Sequence, residues 1–339
     1  MKKLMSVLLC LCMIFTLAAC ANTQNSGEPT GEQDNKNDSR VDIGYSVPDT
    51  TNPFVGWLTN EVKKLAEQDG LTVQIADSAS NSTKQIEQIE NFIAMKVKTL
   101  AIMPVDPNSM PDIIKKAQSQ GIKVLVAGTD TGVYDVMMNT DQYNIGEQIA
   151  EMGIEWLLNT FSTDGTPEGL TKKPKVIIIK YTQTIDGKNR SMGIIDTMQK
   201  WGYADVVVSQ TESITSAEAT NVMQNMWQQN SDAVLVLTYN ADSAMGVNEY
   251  LMGLQGLDKS KIAVFSGDSS DPIVETINRS VNNESVFRGT IGIIGPTIDG
   301  ELVDLPVATY NALKGLCEGK LVYGSKIVDS VAKIYPEKE

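Results

Sequence analysis

From Val41 onward, apolar and polar positions alternate in a long-range rhythm. Short apolar runs recur, and each is followed by a longer amphipathic stretch. The runs are Val41–Ser46, Leu71–Ala76, Leu100–Met103, Val124–Ala127, Val176–Ile179, Val206–Val208, Val234–Leu237 and Ile262–Phe265. Several are unbroken, as strands covered on both faces of a parallel sheet must be. Between them the spacing predicts helices. Ile86, Ile89, Phe92 and Ile93 share one helical face, as do Ala244, Val247, Leu251 and Leu254. Gly70, Gly121 and Gly202 stand where a left-handed residue would close a helix. Repeated strand–helix units predict an α/β fold with parallel sheets and right-handed crossovers.

The series has a seam. After Val124–Ala127 comes a polar, glycine-containing stretch, Gly128 to Asp141, then a helix-like segment, Ile145 to Leu158. Thr160 to Lys173 reads as a loop, and a second strand–helix series starts at Lys175. Two similar lobes meeting near Asp141 are expected. Ligands of open α/β sheets bind beyond the carboxyl ends of the strands, so facing lobes would form a cleft lined by those loops.

The first forty residues do not follow this rhythm. Lys2 and Lys3 precede an apolar stretch from Leu4 to Leu17, then Ala18-Ala19-Cys20. This is the layout of a secretory signal, residues 1–19, too short for a comfortable bilayer span. Leu17-Ala18-Ala19-Cys20 resembles a bacterial lipobox, which implies acylation of Cys20 and cleavage before it. The alternative is an ordinary signal peptide with an accidental cysteine. Residues 21–40, ANTQNSGEPTGEQDNKNDSR, have one apolar side chain and cannot bury enough surface to offset ordering. Residues 20–40 therefore read as a solvated tether, and the expected location is the extracytoplasmic face of the cell membrane, held by lipid.

Composition removes several function classes. The 339 residues carry 28 Lys and Arg against 42 Asp and Glu, a net charge of −14; loss of Lys2 and Lys3 makes it −16. Such a surface argues against nucleic acid, whose phosphates demand clustered cations. There is no histidine, so Ser-His-Asp and Cys-His chemistry is excluded and the commonest zinc ligand is missing. No metal or cofactor is expected. Once Cys10 and Cys12 leave with the signal and Cys20 is acylated, only Cys317 remains, and no intrachain disulfide can form.

The loops after the strand runs hold the candidate chemistry. Asn52-Pro53-Phe54 follows the first run, with Trp57 one turn on. Asp186 and Arg190, four apart, follow the first run of the second series. Asn240 follows Val234–Leu237, and Asp268 follows Ile262–Phe265. Aromatic faces with amides, carboxylates and a guanidinium suit a polyol: hydroxyls donate to carboxylates and accept from Arg and Asn, and the C–H face of a ring packs on an aromatic. Each residue also has a plain structural reading. Pro53 can start a helix, Phe54 and Trp57 can be core, Asn240 and Asp268 can be helix caps, and Asp186 with Arg190 can be a surface pair.

With these loops in their order, the chain from Val41 onward is similar to the periplasmic ribose- and galactose-binding proteins, the type I solute-binding proteins of ABC importers. Asn52-Pro53-Phe54, Val105-Asp106-Pro107, Asn221-Val222-Met223-Gln224-Asn225, and Asn240 with Ala244 and Gly246 carry the resemblance. It implies two Rossmann-like lobes with parallel sheets joined by a multi-strand hinge. The first lobe would span 41–141, completed by about 294–322; the second would span 142–293, completed by about 323–339. It also places ligand roles on Asn52, Phe54, Asp186, Arg190, Asn240 and Asp268; with Trp57 from the first loop and Asp130 from the loop after the fourth run, the expected ligand-binding set is Asn52, Phe54, Trp57, Asp130, Asp186, Arg190, Asn240 and Asp268. The chain departs from the family at Gly128, aligned with an Asp of the ribose branch, and at Met103, Ile214 and Ile293, which replace polar or aromatic positions. A pocket less polar on one side is expected. The calcium loop of the galactose branch is not visible in Asp164 to Lys172.

The expectation is a monomeric, membrane-tethered solute-binding lipoprotein that captures a small sugar or sugar-like ligand by hinge closure, presents it to an ABC permease and performs no chemistry. One alternative is the same fold serving a chemoreceptor or histidine kinase. Another is an extracellular carbohydrate-active enzyme using Asp186 and Asp268; Arg190 and Asn240 would be expected to keep those carboxylates ionised. A transcriptional regulator with this ligand domain would need a helix-turn-helix where this chain has an export signal.

Overall fold

The computed structural model describes residues 40–337; the signal segment, Cys20 and the tether through residue 39 lie outside them. The first series comprises β1 (Ile43–Val47), α1 (Pro53–Gln68), β2 (Val73–Asp77), α2 (Ser82–Ala94), β3 (Thr99–Ile102), α3 (Pro111–Ser119), β4 (Lys123–Gly128) and β5 (Val136–Asn139). The second comprises α4 (Gln142–Phe161), β6 (Lys175–Ile179), α5 (Ile185–Trp201), β7 (Asp205–Val208), α6 (Ser216–Trp227), β8 (Ala233–Thr238), α7 (Ala241–Gly253), β9 (Ala263–Gly267), α8 (Asp271–Asn278) and β10 (Phe287–Ile298). The chain ends with β11 (Glu301–Leu302), α9 (Leu305–Cys317) and β12 (Lys326–Ile334).

The strands lie in the order β2-β1-β3-β4-β5-β12-β10-β9-β8-β6-β7. Neighbours are parallel within β2 to β5 and within β10 to β7. β12 joins the two halves. Lys326–Val328 pair in parallel with Met137–Asn139 of β5, and Asp329–Ile334 run antiparallel to Thr290–Pro296 of β10. α9 comes after β10 in sequence but packs on α1, β3 and β4 of the first half. The chain therefore passes between lobes three times: between β5 and α4, beyond β10, and along β12.

Local chemistry explains the elements. All five residues of β1 are buried. At Gly44 an added Cβ would lie 2.6 Å from the Phe92 ring, so the glycine lets α2 settle on the strand. Pro53 starts α1, capped by the Asn52 side chain. Gly202 closes α5 at φ 75°. The first lobe buries Ile89, Phe92, Leu100 and Val124 on one sheet face, and the second buries Ile177, Val236, Val264 and Phe287. The opposite faces carry Tyr45, Leu58, Leu125, Ile178, Leu237 and Phe265.

Every apolar run named from the sequence falls on a strand, and the fold is the expected mixed α/β class with mostly parallel sheets. The helix read from Ile145 to Leu158 extends to Gln142–Phe161. β5 lies inside the stretch read as polar, because three apolar residues flanked by Asp135 and Asn139 make no periodic signal. β10 contains Gly289, Gly292, Gly295 and Pro296, which break its apolar pattern, and it carries register shifts. Among the described residues, no helix is long and apolar enough to cross a membrane.

Candidate functional site

A cavity of about 120 Å³ lies between the lobes at the carboxyl ends of both sheets. The first lobe presents a mainly apolar wall that includes Phe54, Leu58, Met103, Ala127, Met138 and Leu305. The second presents Tyr181, Thr184, Asp186, Arg190, Tyr239 and Asp268, and the crossing segments add Thr140, Gln142, Ile293 and Asp329. A cavity of roughly 150 Å³ accepts a benzene-sized molecule, so this space is somewhat smaller than one small ring requires. The lobes touch around it: the Thr129 hydroxyl of the first donates to the Asp186 carboxylate of the second.

Arg190 organises the second wall. It projects from α5, 3% exposed, into a socket where Gly267 has no Cβ; an added one would lie 2.8 Å from Nη1. Nη1 donates to both Asp268 oxygens at 2.9 and 3.0 Å and to the Tyr239 carbonyl at 3.1 Å. Nε donates to Gln142 Oε1 at 2.9 Å, and the guanidinium lies 4.8 Å from the Tyr239 ring centre. Burial, the largest single influence, would lower the Arg190 pKa, but Asp268, Tyr239 and Asp186 together outweigh it and the group is held more firmly cationic. The reading of Arg190 and Asp186 as a surface pair is overturned: Arg190 is buried and pairs across the lobe with Asp268. Asp268 adopts φ 74°, unusual for a non-glycine residue, with its N–H donating to Ile291 O at 2.8 Å.

Asp186 sits in the first turn of α5, and burial raises its pKa against the opposing Thr129 hydrogen bond. Arg190 does not hold this carboxylate in the ordinary range, as was expected of it. Asp329, on β12, is pushed up to about 6 by burial. Its Oδ2 accepts from Thr140 at 2.7 Å, while Oδ1 is buried without a hydrogen-bond partner among the described residues.

Five of the eight residues singled out in the sequence line the cavity: Asn52, Phe54, Asp186, Arg190 and Asp268. Asn52 Oδ1 caps α1, accepting from Phe54 N and Val55 N at 3.0 and 3.2 Å, which leaves its amide nitrogen to offer. Three residues lie elsewhere. Trp57 is 40% exposed and outside the cavity lining, its ring beside that of Phe54 at 6.0 Å; Phe54, Val55 and Leu58 are the α1 residues that reach the cavity. Asp130 points to an exposed turn, accepting from Gly132 N at 2.7 Å with Lys326 at 4.0 Å. Asn240 is buried as the cap of α7; Oδ1 accepts from Ser243 N at 3.0 Å and Nδ2 donates to Ile214 O at 2.8 Å. It fixes Ile214 in the wall without lining the cavity. The three apolar departures, Met103, Ile214 and Ile293, all line it. Buried Gln85 holds the Met103 segment by bonds to Met103 O and Val105 N, both 2.8 Å.

The sequence reading missed Tyr181 and Tyr239, whose rings stack at 5.3 Å. Each follows a strand end, so the rule that selected Asn240 could have found both. Gln142 and Thr140 flank the seam at Asp141. No sequence signal marks Asp329. Among the described residues no cluster of His, Cys, Asp or Glu could hold a metal ion.

Comparison with known proteins agrees with this architecture. Residues 43–292 match the family model described as periplasmic binding protein domain. The chain belongs to the periplasmic binding protein family, which consists of binding proteins rather than enzymes. It is 26% identical over 251 residues to the ribose import binding protein of Bacillus subtilis (strain 168), covering 74% of this chain and 77% of the relative. It is 23% identical over 266 residues to a galactofuranose-binding protein of Escherichia coli (strain K12), covering 76% and 80%. Among solved structures, one from Mycobacterium smegmatis in complex with β-D-fucofuranose has a TM-score of 0.71 at 17% identity, covering 87% and 91%. The binding protein of an arabinose ABC transporter from Shewanella sp. ANA-3, bound to L-arabinofuranose, has a TM-score of 0.67 at 19% identity, covering 86% and 91%. These structures share the fold.

Proposed function

We propose that the chain is an extracytoplasmic solute-binding lipoprotein of an ABC importer. It captures a small sugar or sugar-like ligand between its lobes and presents the closed form to a permease. The observation that carries this reading is the cavity between the two lobes, with an aromatic and apolar wall facing one of carboxylates and a guanidinium. A ligand touching both walls stabilises the closed arrangement over the open one. Asn52, Phe54, Asp186, Arg190 and Asp268 are the proposed contacts, joined by Tyr181, Tyr239 and Gln142. The names of the relatives, which bind ribose and galactofuranose, support a sugar.

The test is calorimetric and thermal-shift titration across pentoses, hexoses, deoxy sugars and polyols. At least one should bind, raise the melting temperature by mass action, and be recovered unchanged. Recovery of a converted product would reject a binding role, and a panel without a binder would reject the sugar class. Within the panel, deoxy sugars such as L-fucose and L-rhamnose should bind better than L-galactose and L-mannose, their fully hydroxylated counterparts. Met103, Ile214 and Ile293 each leave a facing hydroxyl unpaired, at a cost of about 1–3 kcal/mol. A consistent preference for the hydroxylated members would reject the apolar edge.

Anchoring is tested separately. Cys20→Ala should release the protein from membranes into the soluble fraction, because the thiol is the proposed lipid attachment point. Retention of the variant on membranes through salt and carbonate washes would refute the lipobox assignment.

A further inference from the structure

The cavity is electrically unbalanced. Four carboxylates line it, those of Asp49, Asp186, Asp268 and Asp329, and among the described residues Arg190 is the one cationic side chain in its lining. Arg190 is already committed, since its Nη1 meets both oxygens of Asp268. Asp49 is engaged at the mouth, where Oδ1 accepts from Thr51 N and Oγ1 at 2.8 and 2.7 Å. Asp186 and Asp329 remain. Each is held by one threonine hydroxyl, and neither forms an ion pair among the described residues. Asp329 Oδ1 is buried with no partner at all. Asp242, behind the wall near Asp268, adds the same sign. A hydroxyl can satisfy the hydrogen-bonding capacity of a buried carboxylate but cannot neutralise its charge, and an uncompensated buried charge is costly.

We propose that the ligand supplies the missing positive charge: it is a small polyhydroxylated molecule bearing a protonated amine, an amino sugar or amino polyol, whose ammonium is taken by Asp329 and Asp186. This rests on the reading of the chain as a polyol-binding protein and narrows its ligand class. An ammonium offers three donors, enough for Asp329 Oδ1 and for a second carboxylate, while the remaining hydroxyls meet Arg190, Asn52 and Gln142. Burial raises Asp186 as well as Asp329, the latter to about 6, so both carboxylates are costly to keep ionised alone and an ammonium beside them would favour their charged forms.

The experiment is calorimetry at pH 7.5 on the full-length chain. Glucosamine, galactosamine, mannosamine and glucamine are each titrated beside glucose, galactose, mannose and sorbitol. The tightest binder should be an amine, at least tenfold tighter than its neutral parent. The near-isosteric Asp329→Asn retains an acceptor for Thr140 and should fold; it should reduce the amine's advantage over its neutral parent, both measured on that variant, to less than threefold. A neutral member as the tightest binder overturns the cationic ligand but leaves the sugar-binding reading standing. An amine advantage that persists in both Asp329→Asn and Asp186→Asn overturns the assignment of these carboxylates. Failure of every charged and neutral member to bind overturns both readings.

Discussion

Arg190→Ala should abolish binding of whichever sugar or sugar-like compound gives the largest thermal shift, and should also destabilise the protein. A guanidinium in an open cleft would be solvated and dispensable to the fold, but the geometry is different. Arg190 is 3% exposed, and Asp268, its partner at 2.9 Å, is 9% exposed. Removing one member of a buried ion pair strands the other, at a cost of about 3–5 kcal/mol. Gln142 and the Tyr239 carbonyl lose donors as well. The stability loss can be separated from the binding loss. Arg190→Met with Asp268→Asn removes both charges and fills the space, so it should regain most of the melting temperature and none of the affinity. Denaturant unfolding and calorimetry on the two variants read the two effects. Arg190→Ala that binds within threefold of the parent protein would remove Arg190 from the site, and full stability of that variant would show the pair to be replaceable by water.

The fold was legible wherever burial on both sheet faces leaves an unbroken apolar run. Val176–Ile179 and Ile262–Phe265 needed no tertiary information. The lobe-joining strands were opaque for a physical reason. β12 passes from a parallel partner to an antiparallel one and stays half exposed, so Lys326, Asp329 and Lys333 interrupt its apolar positions. Asp329 lies on that strand and was missed with it. The site shows a similar split. Arg190 and Asp268 could be selected because both follow strand ends, but their pairing joins residues 78 apart and no spacing encodes it. Asn240 obeyed the same rule and does not line the cavity, because its side chain is consumed by the α7 cap and by Ile214 O. Position after a strand selects a neighbourhood; competing local hydrogen bonds decide which way the side chain points.

The second large effect is expected at a position with no candidate chemistry. Gly146 on α4 and Gly193 on α5 face each other where the two helices cross. A Cβ at Gly146 would lie 2.9 Å from the Gly193 Cα and closer still to the carbonyl oxygen of Arg190; one at Gly193 would meet the Tyr143 carbonyl and lie 3.0 Å from the Gly146 Cα. These obstacles are backbone atoms, which have no rotamer with which to yield. Gly146→Val must therefore push the helices apart and open the packing around Ile145, Ile149 and Ile194. Overpacking of a well-packed core costs about 1–3 kcal/mol, occasionally more, and a backbone-limited contact belongs at or above the top of that range. Because the clash falls on the Arg190 carbonyl, α5 should carry Arg190 away from Asp268 and Gln142, and ligand affinity should fall with stability. Gly253→Ala is the control: nothing lies within 4 Å of its added Cβ, and alanine favours the end of α7 by up to about 1 kcal/mol. Thermal melts and calorimetry on the two variants should give a large joint loss for Gly146→Val and none for Gly253→Ala. A Gly146→Val protein that melts and binds like its parent would show that the α4–α5 crossing is not the rigid mount from which Arg190 reaches the cavity.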